Sequence, residues 1–344
     1  MKRGVINPTI NDVADLAGVS KRTVSRVINK SSRVSAETLM RVEDAIRQMN
    51  FVPNRQARAL AARRSFLLGL IYDVPTLFVT EIQTSILEVC GECGFELVVH
   101  ACNIDSEDLV EDVLGFVERT NVDGVILLPP AAEVDSLVVA LDERNFHHVR
   151  FSSELSTRPW EQVVSNYLPA VLDMTSHLVD LGHRRFAFIS GPRDSQSSQK
   201  RLEAYVQALN QNGLKLLETM NVEGDFSFES GVKAAEMLLS HRHRPTAIFA
   251  GNDEMAFGVM EFAYRMGIEI PRELSVVGLD GSVAANFINP SLSTIDRQTY
   301  KMAQLVTRKL ISRIDNGRNS ARRFETTVSS QCLPRESTGP VPER

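Results

Sequence analysis

Apolar positions recur at helical spacing through the first fifty residues, and the pattern changes after residue 65. Ile10, Val13, Ala14 and Ala17 form one stripe; Val24, Val27 and Ile28 form a second; Leu39, Val42, Ala45, Ile46 and Met49 form a third. Spacings of three and four predict three short amphipathic helices. The punctuation agrees. Thr9 with Asp12 three residues on makes a capping-box-like start, Gly18 supplies the left-handed backbone of a sharp turn, and Ser20 and Ser35 stand at N-cap positions. From residue 66 onward, strand-like runs alternate with amphipathic helical stretches. The pattern predicts strands over 66–74, 95–101, 124–128, 148–151 and 163–165, separated by helices over 78–93, 106–120 and 134–145. A second series places helices over 170–182, 199–213, 228–240 and 254–266, and strands over 185–190, 247–250 and 274–279. Strict alternation of β and α implies parallel sheets covered by helices. So long a stretch exceeds one comfortable core, and it divides into two lobes near Ser165. Ligands in such sheets lie beyond the carboxyl ends of the strands, which here means the cleft between the lobes.

Charge changes that picture. The chain has 344 residues and a net charge of −5. Residues 1–65 carry 13 Lys/Arg against 5 Asp/Glu, and the remainder carries 25 against 38. A basic head on an acidic body suggests a module built for a polyanion. The composition (43% hydrophobic, 24% charged) excludes collagen-like, low-complexity and disulfide-scaffold classes. No apolar run approaches the roughly 20 residues needed to cross a bilayer, so no membrane partner is expected. The polar start lacks the apolar stretch of a secretory signal. Four cysteines are too few to staple the chain. Reduced thiols and a cytoplasmic location are the expectation.

Within the head, Ala14 is small where two helices must approach, Gly18 lies four residues on, and Val24 fills the core six further. Two helices crossing through a three-residue turn need those residue types there, as in a helix-turn-helix. The second helix of that motif enters the major groove, and Lys21, Arg22, Ser25 and Arg26 lie outside its apolar stripe. The run from Thr9 to Ser20, then Thr23-Val24-Ser25-Arg26-Val27-Ile28-Asn29, Arg33-Val34-Ser35 and Asn50-Phe51-Val52-Pro53-Asn54, resembles the head piece of the lactose-repressor (LacI/GalR) family of transcriptional regulators. The resemblance implies DNA contacts from Thr9, Ser20, Lys21, Arg22, Thr23, Ser25, Arg26, Asn29, Arg33, Asn54, Arg55, Ala57, Arg58 and Leu60. By composition residues 53–65 favour a helix, yet one about two turns long is marginal alone in water. The family uses this segment as a hinge helix that pairs in the dimer, with Leu60 at the wedge position that kinks DNA from the minor groove.

The body is similar to the effector domain of the same family through Asp123-Gly124-Val125-Ile126, Leu181-Gly182-His183-Arg184-Arg185, 223–231, 245–253 and 274–278. The implied fold is an all-α helix-turn-helix head piece plus an α/β, two-lobed, periplasmic-binding-protein-like effector domain. The expected divisions are 1–52 for the head, 53–65 for the hinge, and 66–336 for the two lobes. Lobe 1 takes about 66–165 and 297–324, lobe 2 about 166–296 and 325–336, and 337–344 is a loose tail. The resemblance assigns effector contacts to Phe78, Ser152, Ser197, Arg201, Phe226, Asn252, Asp280 and Arg297. Arg201 and Asp280 would bind hydroxyls, Asn252 would donate and accept, and Phe78 and Phe226 would be apolar platforms. Arg201 is expected to touch only the ligand.

Three departures from the family pattern bear on the effector. Asp280-Gly281 replaces a common Asp-Asp, Asp296-Arg297 replaces Arg-Gln, and the loop 72–77 is short and lacks Asn-Pro. Arg297 favours an acidic sugar if it faces the pocket and nothing if it is an exposed hinge arginine. Cys90-Gly91-Glu92-Cys93 has redox or zinc spacing, but a lone pair without further ligands gives no four-ligand site, so packing is expected and no metal or cofactor. His241 and His243 read as a solvated loop. No nucleophile, base and orienter assemble in sequence. The expected protein is a homodimeric repressor of pseudo-palindromic double-stranded operator DNA, controlled by a sugar-like small molecule. A nucleobase-responsive regulator, or a sugar-binding protein or enzyme fused to a DNA-binding head, is the alternative.

Overall fold

The computed structural model describes residues 8–28, 34–51, 64–152, 158, 161–317, 320 and 323–341. The chain forms two compact units, 1–65 and 66–344.

The first unit holds α1 (Ile10–Ala17), α2 (Lys21–Ile28) and α3 (Ala36–Gln48). Thr9 and Asp12 form a reciprocal capping box at α1, and Gly18 ends the helix in the left-handed region at φ 64°. Ser20 Oγ accepts the Thr23 N–H at 3.2 Å, as an N-cap should. Val13, Ala14, Ala17, Val24, Val27, Val42, Ala45 and Phe51 make the buried core, which includes members of all three stripes.

The second unit contains two six-stranded sheets. The first is built from β1 (Leu67–Tyr72), β2 (Glu96–Ala101), β3 (Gly124–Leu127), β4 (His148–Ser152), β5 (Gln162–Asn166) and β11 (Thr327–Ser329), in the order β11-β5-β4-β3-β1-β2. All its pairings are parallel. Helices α4 (Leu77–Cys93), α5 (Leu109–Thr120), α6 (Asp135–Glu143) and α11 (Thr299–Asn316) belong with it. The second sheet contains β6 (Phe186–Ser190), β7 (Asn221–Glu223), β8 (Ala247–Ala250), β9 (Ser275–Asp280), β10 (Ser293–Asp296) and β12 (Gln331–Leu333), in the order β12-β10-β9-β8-β6-β7. Only β12 is antiparallel to its neighbour there. Helices α7 (Leu168–Asp180), α8 (Gln196–Gln211), α9 (Phe228–Leu239) and α10 (Asp253–Arg265) accompany it. No described helix is long and apolar enough to cross a membrane.

Two expectations are corrected. Residues 325–336 do not all belong to the second lobe, because β11 adds to the edge of the first sheet beside β5 and only β12 joins the second. The chain thus crosses between lobes a third time at Ser330, whose hydroxyl bonds that of Ser165 at 2.8 Å. Nor is 337–341 a loose tail. Ser337 is fully buried, its hydroxyl donates to Val276 O at 2.6 Å, and the Val341 N–H reaches Leu181 O at 2.9 Å. The Gly339 carbonyl meets buried His183 Nε2 at 3.0 Å. The segment adds hydrogen-bond partners to buried Ser275, Ser293 and His183, which is why a polar, Pro-containing stretch stays docked.

Candidate functional site: a cleft at two switch points

Both sheets have the same wound core, β2-β1-β3-β4-β5 and β7-β6-β8-β9-β10. Strand order reverses at β1/β3 in one lobe and at β6/β8 in the other. Loops leaving neighbouring strands in opposite directions open a crevice at such a point. The loops after β1, β3, β6 and β8 bring Asp73, Thr76, Pro129, Glu133, Pro192, Ser195 and Asn252 around one cavity of about 390 Å³.

Seven of the expected effector residues line it: Phe78, Ser197, Arg201, Phe226, Asn252, Asp280 and Arg297. Ser152 ends β4, and its side chain lies outside the described residues. Also outside are seven expected DNA contacts, Asn29, Arg33, Asn54, Arg55, Ala57, Arg58 and Leu60, and with them 53–63 of the expected hinge. The remaining head residues are placed. Lys21 and Arg22 are exposed at the start of α2, and Thr23, Ser25 and Arg26 are half-buried on that helix. Thr9 and Ser20 are exposed, and both cap helices.

At the centre of the cleft Asp280 lies between two arginines. Arg297 Nη1 donates to its Oδ1 at 3.2 Å, and Arg201 Nη2 is 3.5 Å from the same oxygen. Arg201 also donates to the Gly251 carbonyl at 2.5 Å, so it does not touch only a ligand. Its burial pushes the guanidinium pKa down, and Asp280 opposes the shift. Arg297 is no exposed hinge arginine; it is 4% exposed. Each guanidinium also covers an aromatic ring. Arg201 lies 5.2 Å from the Phe226 centroid and Arg297 5.1 Å from that of Phe78, a cation–π arrangement. The two Nε atoms have no hydrogen-bond partner among the described residues.

Backbone geometry serves these side chains. Phe226 has φ 67°, a region a bulky residue enters only when its surroundings enforce it. Its ring occupies the space a side chain at Gly191 would need, since a Cβ there would stand 2.0 Å from the ring. Gly281 has φ 75°, and a Cβ on it would come within 2.4 Å of Asp296 Cα. That close approach accounts for glycine where the family pattern has a second Asp. Asn252 caps α10 by accepting the Met255 N–H at 2.9 Å and donates to Phe226 O at 2.8 Å, so part of its hydrogen-bonding capacity is internal.

Sequence reasoning missed the acidity of the cleft. Asp73, Asp105, Glu133, Asp194, Asp225 and Glu254 join Asp280 in its lining, against Arg201 and Arg297. Burial pushes Glu133 and Glu254 above the ordinary carboxylate range, with backbone hydrogen bonds opposing. Scattered along the chain, these residues share no spacing that could have flagged them. Elsewhere, Asp142, His148 and Glu161 place possible ligand atoms within 4.8 Å of one another. Arg158 pairs with Asp142, and Arg313 stands 3.2 Å from Glu161, so both carboxylates already face guanidinium groups. Cys90 packs in the first lobe's core, where burial pushes its thiol up to about 12, and Cys93 packs against the same core. His241 and His243 are exposed.

Comparison with known proteins agrees with both halves of this description. Residues 9–54 match the model of bacterial regulatory proteins, lacI family, and residues 175–338 match a periplasmic binding protein-like domain. The chain is 33% identical over 326 residues to the ribose operon repressor of Escherichia coli (strain K12), covering 93% of this chain and 97% of that one. Among solved structures, the transcriptional regulator CelR–cellobiose complex is 30% identical with TM-score 0.69, covering 96% of this chain and all of that one. The Lac repressor dimer bound to operator and the anti-inducer ONPF is 28% identical with TM-score 0.73, covering 97% and 99%. On the head-piece match and this full-length identity, the chain belongs to the lacI family of bacterial regulatory proteins.

Proposed function

We infer that this protein is a transcriptional repressor that binds pseudo-palindromic operator DNA as a homodimer and changes its operator affinity when a neutral, hydroxyl-rich small molecule enters the cleft. The observation that carries the reading is the cleft itself. Two buried guanidinium groups, the carboxylate they share and two aromatic rings line a cavity of monosaccharide to disaccharide size, on the same chain as a helix-turn-helix. Relatives named for ribose and solved with cellobiose support a sugar. The acidic lining and the pairing of Arg297 with Asp280 favour a neutral sugar over an acidic one. Such a protein works in the cytoplasm, where its DNA is. In this reading Lys21, Arg22, Ser25 and Arg26 read bases, Thr9, Ser20, Thr23, Asn29 and Arg33 position the head, and Asn54, Arg55, Ala57, Arg58 and Leu60 act at the hinge.

The test has two stages. A thermal-shift screen of neutral sugars, uronates and nucleobases identifies the effector, because a ligand at 100 times its Kd adds about 2.7 kcal/mol of stability. Operator binding by fluorescence anisotropy is then measured with and without it. The expected result is a neutral-sugar hit that shifts operator affinity 5- to 150-fold, about 1–3 kcal/mol of coupling. A stabilising sugar that leaves operator affinity unchanged refutes the regulatory reading.

A further inference from the structure

The two lobes are bridged at three places, two of them through glutamates that line the cleft, and each bridge has the same construction. Glu133, in the turn after β3 of the first lobe, accepts the backbone N–H groups of Gln196 and Ser197 at 3.0 and 3.1 Å, at the start of α8 in the second. Glu254, on α10 of the second lobe, accepts the N–H of Leu77 at 2.8 Å, the first residue of α4 in the first. Glu81, one turn into α4, accepts the N–H of Val283 at 2.7 Å, the first residue of the 3-10 turn Val283–Asn286 in the second. These donors are first-turn amides, which have no acceptor within their own helix. A carboxylate satisfies them with a charge-assisted bond, roughly twice as strong as a neutral one. Covalent crossings at 166–168, 296–299 and Ser330 also tie the lobes. Bonds between the lobes away from those crossings act against that hinge.

We propose that Glu81, Glu133 and Glu254 are positioning residues that latch the two lobes shut over the cleft, and that the three bridges open together when a ligand enters or leaves. The latch belongs to the lobes and holds whatever the effector is. Its bridges run in both directions, since two of the glutamates project from the first lobe and one from the second. Rigid lobes cannot part at one bridge while keeping the others at hydrogen-bonding distance.

Residue-resolved hydrogen exchange on the full chain tests this. Leu77→Pro removes one donor and leaves every charge in place. Proline is favoured at the first helical position, and Thr76 before it is already extended at φ −106°, ψ 171°. Glu254→Ala removes the same bridge from its other side. Both variants should raise exchange at Val283, Gln196 and Ser197 on the order of tenfold, the worth of one charged hydrogen bond. The amides of central strands β1 and β8 should keep their wild-type rates, which separates opening of the lobes from loss of stability. If the three remote amides are unmoved in both variants, or exchange at unprotected rates in the wild type, the bridges are independent surface contacts and the latch is overturned.

Discussion

Asp280 is the residue on which the cleft depends most, because two buried guanidinium groups share it. Its side chain is 12% exposed, against 7% for Arg201 and 5% for Arg297. Removing one member of a buried ion pair leaves an uncompensated charge at a loss of about 3–5 kcal/mol. Asp280→Asn should lower stability by that order in urea unfolding, while Arg201→Ala should cost less, because Asp280 keeps Arg297. Equal losses would show that the two arginines do not share the carboxylate. Asp253 nearby carries a different prediction. Burial raises its pKa from 3.8 to about 7, with Asp280 adding to the shift and bonds from Thr294 and Ser282 opposing it. A carboxyl raised on folding contributes stability that is complete below its unfolded value and lost as pH rises through the folded one. The wild type should thus lose stability relative to Asp253→Asn between about pH 4 and 7. The Asn side chain can still accept from Ser282 N and turn its NH2 toward Thr294 Oγ1. A difference in midpoint that is constant with pH sinks the assignment. Arg201 and Asp280 were legible by resemblance to a family pattern. Glu81, Glu133 and Glu254 were not, because what matters in them is a backbone amide up to 202 residues away.

At the scale of elements, α9 and α10 approach each other closely, and two glycines permit it. A Cβ on Gly258 would stand 2.2 Å from Phe228 O, and one on Gly231 2.2 Å from Met255 O. Both obstacles are backbone, so neither can swing aside. Gly258→Ala should force the helices apart and destabilise by about 1–3 kcal/mol, the usual penalty of overpacking, despite alanine's better helix propensity. A midpoint at or above wild type would mean that the interface yields. The element pattern was legible where a buried strand was also apolar or a helix had one clean apolar stripe, as in β6, β8 and α1. It failed for β7, β11 and β12, which at three residues each are too short to display a period, and for β10, whose buried Ser293 and Thr294 are polar. It also passed over α11, whose buried face mixes Met302, Val306 and Leu310 with Lys309 and Arg313. Those two charges sit inside because Lys309 Nζ donates to Gln162 O at 2.8 Å and Arg313 stands beside Glu161. A polar residue buried through a distant partner looks like a surface residue in sequence.

For the whole molecule, the division of charge assigns the polyanion to the head, and symmetry must supply the rest of the affinity. A single short recognition helix reads one half-site, and two-fold related half-sites require a dimer. The second lobe exposes apolar side chains that solvent alone does not explain: Phe287 at 82%, Tyr264 at 81%, Met237 at 64% and Met266 at 62%. Large exposed aromatic and methionine side chains of this kind are enriched at protein interfaces. Phe287 follows the 3-10 turn Val283–Asn286 with its ring almost wholly outside, so replacing it by aspartate disturbs no packing in the monomer. Phe287→Asp should therefore fold with the wild-type thermal midpoint at low protein concentration, yet place a charge in the interface of any dimer that buries Phe287. Sedimentation velocity should show a shift from dimer toward monomer at micromolar protein. Operator affinity should fall steeply, because two half-sites would no longer be bound by one preassembled unit. Affinity for random-sequence DNA per protomer, which depends on the cations of each head, should change little. A variant that stays dimeric and binds operator like the wild type would move the interface to another face of the lobes. One that loses operator and random-sequence binding alike would show that the defect lies in the head.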